Sequence, residues 1–180
     1  MGFDLHGIKP KINKELDDTT LYGMIESLPT SSKKDWTKRW DIIDNFTDEQ
    51  RKEYHKQMDE HYDKNPGLYF RNNVWWWRPL WTYVVVICED ILSDKDINSG
   101  SYNDGHTISA TKCKKMATLL QKSIKDGTCK RYEFDITAQN KELEQSDDKD
   151  AQFMSNYPFK VDNVKRFIKF LRQSGGCQIC

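Results

Sequence analysis

Neither sign of charge is in surplus in this sequence: lysine plus arginine number 28, and so do aspartate plus glutamate. A protein that grips DNA regardless of sequence needs excess cations to release phosphate counterions, so sequence-independent DNA binding is not expected. Long apolar runs are missing as well. The longest, residues 83–88, falls far below the roughly 20 residues that a membrane-spanning helix needs. The opening residues lack the basic start and apolar run of a secretory signal. No membrane partner is expected, and the expected setting is cytoplasmic. The cysteines, at 88, 113, 129, 177 and 180, are odd in number and have no secretory context, which favours reduced thiols over a disulfide framework.

Familiar catalytic signatures are lacking too. There is no phosphate-cradling Gly-Lys-Ser/Thr loop, no dinucleotide fingerprint, no His-Glu-x-x-His and no Gly-x-Ser-x-Gly. Their absence weakens the case for an enzyme without ending it, because an active site can be assembled across a fold. A zinc site needs about four ligands, usually as two close pairs, whereas Cys177-Gln178-Ile179-Cys180 supplies one pair. No metal and no cofactor is expected. The same ending sets a cysteine fourth from the end, as prenylation requires, with Lys165, Arg166, Lys169 and Arg172 upstream. Those cations equally suit the solvated face of an amphipathic helix, and the simpler reading makes both cysteines ordinary strand residues.

What the sequence has is helical patterning. Its 180 residues suit one domain, 1–180, with a core that needs no metal or disulfide. Trp36, Trp40 and Ile43 recur at helical spacing, so a helix is expected over 33–45. Thr47-Asp48-Glu49-Gln50 is a capping-box start, and Tyr54, Met58 and Tyr62 make a narrow stripe on the helix that follows. Residues 79–92 are apolar nearly all round, as a buried helix would be. Ser109 caps a further helix that ends at Gly127; others are expected over 130–145 and 162–174. Residues 9–34 and 145–160 read as irregular connections. The two chain ends alternate apolar and polar beside glycines, and residues 2–6 and 176–180 should pair as antiparallel strands. The expected fold is mainly α: a compact helical domain with a small antiparallel ribbon joining the N- and C-termini.

The densest chemistry lies in residues 70–81, which hold four of the six tryptophans with Arg71, Asn72, Asn73 and Arg78. Three successive tryptophans cannot all face one core. Trp77 and Trp81, at i and i+4, are assigned to the core with Val84 and Val85, leaving Trp75 or Trp76 for a cleft. Indole faces stack on bases, the arginine forks suit phosphate or carboxylate, and the asparagine amides can read base edges. A second candidate segment, Tyr102, Asn103, Asp104 and His106, is turn-rich with no core periodicity. His6 beside Asp4, and His106 beside Asp104, are candidate base-and-orienter pairs. His55 and His61, nearly opposite on one helix, are expected in solvent.

Residues 2–7 (Gly-Phe-Asp-Leu-His-Gly), 69–81 with the Trp-Trp-Trp-Arg-Pro core, 100–106 (Gly-Ser-Tyr-Asn-Asp-Gly-His), and 174–176 with Cys180 resemble a family of small bacteriophage and prophage proteins, most of them uncharacterised. The likeness covers the two ends and the centre, and leaves 9–65 and 128–155 without counterpart. It implies only a setting, the cytoplasm of an infected bacterium. Within that setting the expected function is binding of a small anionic, nucleotide-derived ligand, sequestering a host immune signal. The alternatives are an enzyme that modifies such a ligand with His106 and Asp104, or an inhibitor that docks tryptophans on a host protein. The oligomeric state is left open.

Overall fold

The protein is described for residues 2–180 by a computed structural model. In chain order its elements are β1 (Gly2–Gly7), α1 (Leu21–Glu26), α2 (Lys33–Asp44), α3 (Asp48–Lys64), β2 (Tyr69–Asn73), α4 (Val74–Cys88), α5 (Asp94–Ser99), β3 (Thr107–Ile108), α6 (Ala110–Lys125), α7 (Thr128–Glu144), α8 (Lys149–Met154), α9 (Val161–Gln173) and β4 (Cys177–Ile179). The fold is mainly helical, about 60%, with one four-stranded antiparallel sheet. The chain divides into two compact units, residues 12–65 and the remainder.

The larger unit is built around β1. Its alternation sends Phe3 and Leu5 inward and leaves Asp4 and His6 on the other face. The expected pairing of the ends is present: Leu5 opposes Ile179 and Gly7 opposes Cys177, with Asp4 and Cys180 exchanging both backbone hydrogen bonds. The ribbon is wider than the two expected strands, because β2 pairs along the other edge of β1 and β3 along the outer edge of β4, giving the order β2-β1-β4-β3. Strand β2 escapes the hydrophobic pattern because one of its two inward positions is Asn72. That amide is buried and donates to Asn163 Oδ1 of α9 at 3.2 Å, so a polar residue occupies a core site with its bond made.

Helix α4 starts at Val74, five residues before the expected boundary at Pro79. Asn73 supplies the start, its Oδ1 accepting from the Trp76 N–H at 3.1 Å. Pro79 therefore lies inside the helix, where it removes the hydrogen bond otherwise donated to the Trp75 carbonyl. Tertiary packing holds the helix regardless. Trp77, Leu80, Trp81, Val84 and Cys88 are buried, and the Trp77 and Trp81 indoles stack with centroids 5.4 Å apart. Both indole N–H groups are satisfied, by Gly100 O at 2.7 Å and Ile97 O at 3.1 Å. Gly100 has to be glycine here: a Cβ would lie 1.9 Å from the Trp81 ring. Helices α6 and α9 complete this core with Met116, Leu120, Phe167 and Leu171.

The smaller unit packs α1 against α3 around Tyr22, Ile25, Ile43 and Tyr54, with capping boxes at Ser32/Asp35 and Thr47/Gln50. Of the expected stripe on α2 only Ile43 is buried; Trp36 and Trp40 remain 43% and 56% exposed. The face turned inward is centred on Arg39, Ile42 and Ile43, where Arg39 pairs with Glu26, and this rotates the tryptophans to its rim. His55 is exposed as expected. His61 is half-buried between Tyr22 and Tyr62, and loss of solvent pushes its pKa down.

Candidate functional site

The outward face of the sheet gathers polar side chains in cross-strand rows. The pairing register sets Arg71 beside Asp4 and Asp4 beside Cys180, while Tyr69, His6, Gln178 and Thr107 form the next row. Asp4 accepts from the Tyr69 hydroxyl and lies 3.5 Å from Arg71 Nε; the His6 ring tilts against Tyr69 at 5.2 Å. Gly2 lies opposite Asn73, and the Arg71 guanidinium lies beside it, its Nε 3.5 Å from where a Cβ would stand. Asn103 reaches the same corner, its amide donating to Gly2 O at 2.6 Å. Four of the residues singled out by sequence, Asp4, Arg71, Asn73 and Asn103, thus converge at one end of the sheet, with His6 one row away.

Asn73 is also the rim of an open groove of about 490 Å³ lined by Trp75, Trp76, Phe153, Asn156 and Pro158. Both indoles are half-buried. Trp75 packs edge-on to Phe153 and tilted to Tyr157, with centroids 5.1 and 4.8 Å away. Exposed Arg78 donates to the Tyr157 hydroxyl at 3.2 Å and places its guanidinium 5.9 Å from the centre of that ring. The groove is therefore an aromatic platform with amides on its rim, its far wall being α8 and the turn after it. Residues 145–160 read as a connection in sequence, and nothing local there marks Phe153 and Tyr157 as partners of Trp75.

The second segment is divided. Tyr102 is 66% exposed, and Asp104 accepts from the backbone N–H of His106 at 3.0 Å rather than from its ring. The carboxylate that orients the imidazole is Asp96: its Oδ1 lies 2.8 Å from His106 Nε2, and its other oxygen accepts from Lys112 and from Ser93 Oγ at 2.7 Å. Burial raises the Asp96 pKa, but the hydrogen bonds from Lys112, His106 and Ser93 outweigh it and hold the carboxyl well below its usual range. The cluster ties the start of α5 to α6 and to the strand entering β3. Ser93-x-x-Asp96 is itself a capping-box spacing and so was visible in the sequence; its long-range partners were not. Asn72, turned into the core, stands apart from both the groove and the open sheet face.

Among the described residues no cluster of three or more His, Cys, Asp or Glu could hold a metal ion, and no helix is long and apolar enough to cross a membrane. The fold and site define a mainly helical protein with an open antiparallel sheet face running into an aromatic groove. No family model matches the chain, and neither does any curated protein or solved structure.

Proposed function

We propose that this protein binds a small anionic, nucleotide-like molecule, with its planar base against Trp75 and Trp76 and its charged end toward Arg71. The observation that carries the proposal is the groove of about 490 Å³ that begins at Asn73, adjacent to the Arg71 corner of the sheet. That volume falls within the range typical of small-ligand sites. Stacking on an aromatic face contributes about 1–3 kcal/mol per base, and an arginine fork suits phosphate. Arg71 is 65% exposed, so its guanidinium can turn to a ligand at little cost in packing. The proposed setting, a phage-infected bacterium in which the protein sequesters a host immune signal, rests on the likeness of residues 69–81 and of the chain ends to phage and prophage proteins. Isothermal titration against cyclic nucleotides and ADP-ribose derivatives tests the proposal. Saturable heat that is lost in Trp76→Ala supports it, and silence across the panel refutes it.

A second reading, docking on a host protein, is favoured by Phe153 and Met154, which are 54% and 52% exposed beside the same groove. Capture of one partner by the intact protein but not by Phe153→Asp would favour this reading over the first. For an enzyme that uses His106 and Asp104, the Asp96–His106 contact supplies an orienting carboxylate other than the one named, on an imidazole only 12% exposed. Unchanged ligand after incubation with the protein removes that alternative.

A further inference from the structure

Two thiols without a part in this binding site lie against each other in the core of the larger unit. Cys113, in the first turns of α6, and Cys177, on β4, are fully buried with their sulfurs 3.8 Å apart. The local fold makes the meeting inevitable: Ile108 of β3 pairs with Cys177, Ser109 caps α6 immediately afterwards, and the Cys113 thiol turns back toward the Ile108 carbonyl at 3.7 Å. We propose that Cys113 and Cys177 are a latent disulfide, closed by a hydroperoxide, that staples β4 to α6 and fixes the strand paired with β1 beside Asp4.

The sulfurs need to approach by about 2 Å to reach bonding distance, which side-chain rotation and a small shift of the three-residue β4 can supply. Cys113 is the attacking sulfur. The close Cys177 sulfur, and after it the Ser174 hydroxyl, hold its pKa below the ordinary thiol value despite burial, and the early turns of a helix favour a thiolate. Its own proximity and burial push Cys177 well above that range. In the first step the Cys113 sulfur takes one oxygen of hydrogen peroxide; the O–O bond breaks, and a sulfenic acid and one water form. In the second step the Cys177 sulfur attacks that sulfenic sulfur; the S–O bond breaks, the S–S bond forms, and a second water leaves with the thiol proton. Two thiols lose two electrons in all, and one peroxide becomes two waters. The remaining buried thiols, Cys88 and Cys129, have their pKa values raised by burial.

The experiment uses the full chain carrying Cys180→Ser, which removes the one partly exposed thiol and with it cross-linking between molecules. After hydrogen peroxide, intact mass should fall by two hydrogens, peptide mapping should join the segments containing residues 113 and 177, and the melting temperature should rise. Dithiothreitol should reverse all three. Mapping needs no change in the core, so it does not depend on a Cys177 variant folding. Three results would overturn the proposal: a bridge to another cysteine, added oxygen without a bridge, or no bridge at a dose that fully oxidises Cys180 in the unsubstituted chain.

Discussion

Replacing Asp96 by asparagine removes one charge and almost no volume, which makes it the sharpest probe of the cluster at the start of α5. The Asp96 side chain is 5% exposed and accepts from Lys112, His106, the Ser93 hydroxyl and the Ser93 N–H, the last at 2.9 Å. The amide can keep the capping contacts with Ser93 but cannot satisfy two cationic or donor side chains as a carboxylate does. Removing one partner of a buried ion pair costs about 3–5 kcal/mol. Lys112 is 32% exposed and can turn to water, which places the expected loss near the lower end, about 3 kcal/mol. The same geometry predicts the pH dependence. Because the folded carboxyl titrates below its unfolded value of about 3.9, its stabilisation is complete above that pH and is lost as pH falls toward the folded pKa. Urea unfolding of both proteins at neutral pH and at a series of acidic pH values checks both claims. Asp96→Asn should show a lower midpoint, an unchanged slope and a shallower fall in stability on acidification. A difference under about 1 kcal/mol at neutral pH, or parallel acid profiles, would refute the reasoning.

Trp77→Ala should cost about 3–5 kcal/mol, since it empties the centre of the core and strips the Gly100 carbonyl of its donor; a melting curve reads this directly. Arg71→Ala should leave stability within about 0.5 kcal/mol, because its contact with Asp4 is an exposed ion pair, yet weaken binding of an anionic nucleotide by titration. Binding unchanged with folding intact would remove Arg71 from the site. The Tyr83 hydroxyl is buried without a hydrogen-bond partner among the described residues, so Tyr83→Phe should be neutral or stabilising by about 1 kcal/mol; clear destabilisation in denaturant unfolding would reveal a bond to Ser123 or Cys129, its polar neighbours.

Local chemistry made much of this fold legible. Thr47 with Gln50, Ser109 before an apolar stripe, and the spacing of Val164, Phe167, Ile168 and Leu171 each fix a helix by interactions within a few residues, and all three helices stand where the pattern put them. The alternation at the two chain ends was enough to pair β1 with β4, since each strand has one face to bury and is too short to be stable alone. What sequence could not supply was every decision made by a distant partner. Asn72 reads as a ligand-binding amide until Asn163 answers it across the core, Trp36 and Trp40 share helical spacing with Ile43 but only Ile43 is buried, and Asp104 reads as the partner of His106 until Asp96 is brought up by α5. The groove follows the same rule. Trp75 and Trp76 announce themselves in the chain, but their opposite wall, Phe153 and Pro158, lies about 80 residues away, and only packing of the helices between them brings the two together. Periodicity and capping are short-range properties of the chain, whereas burial, ion pairing and cavity shape depend on which surfaces meet.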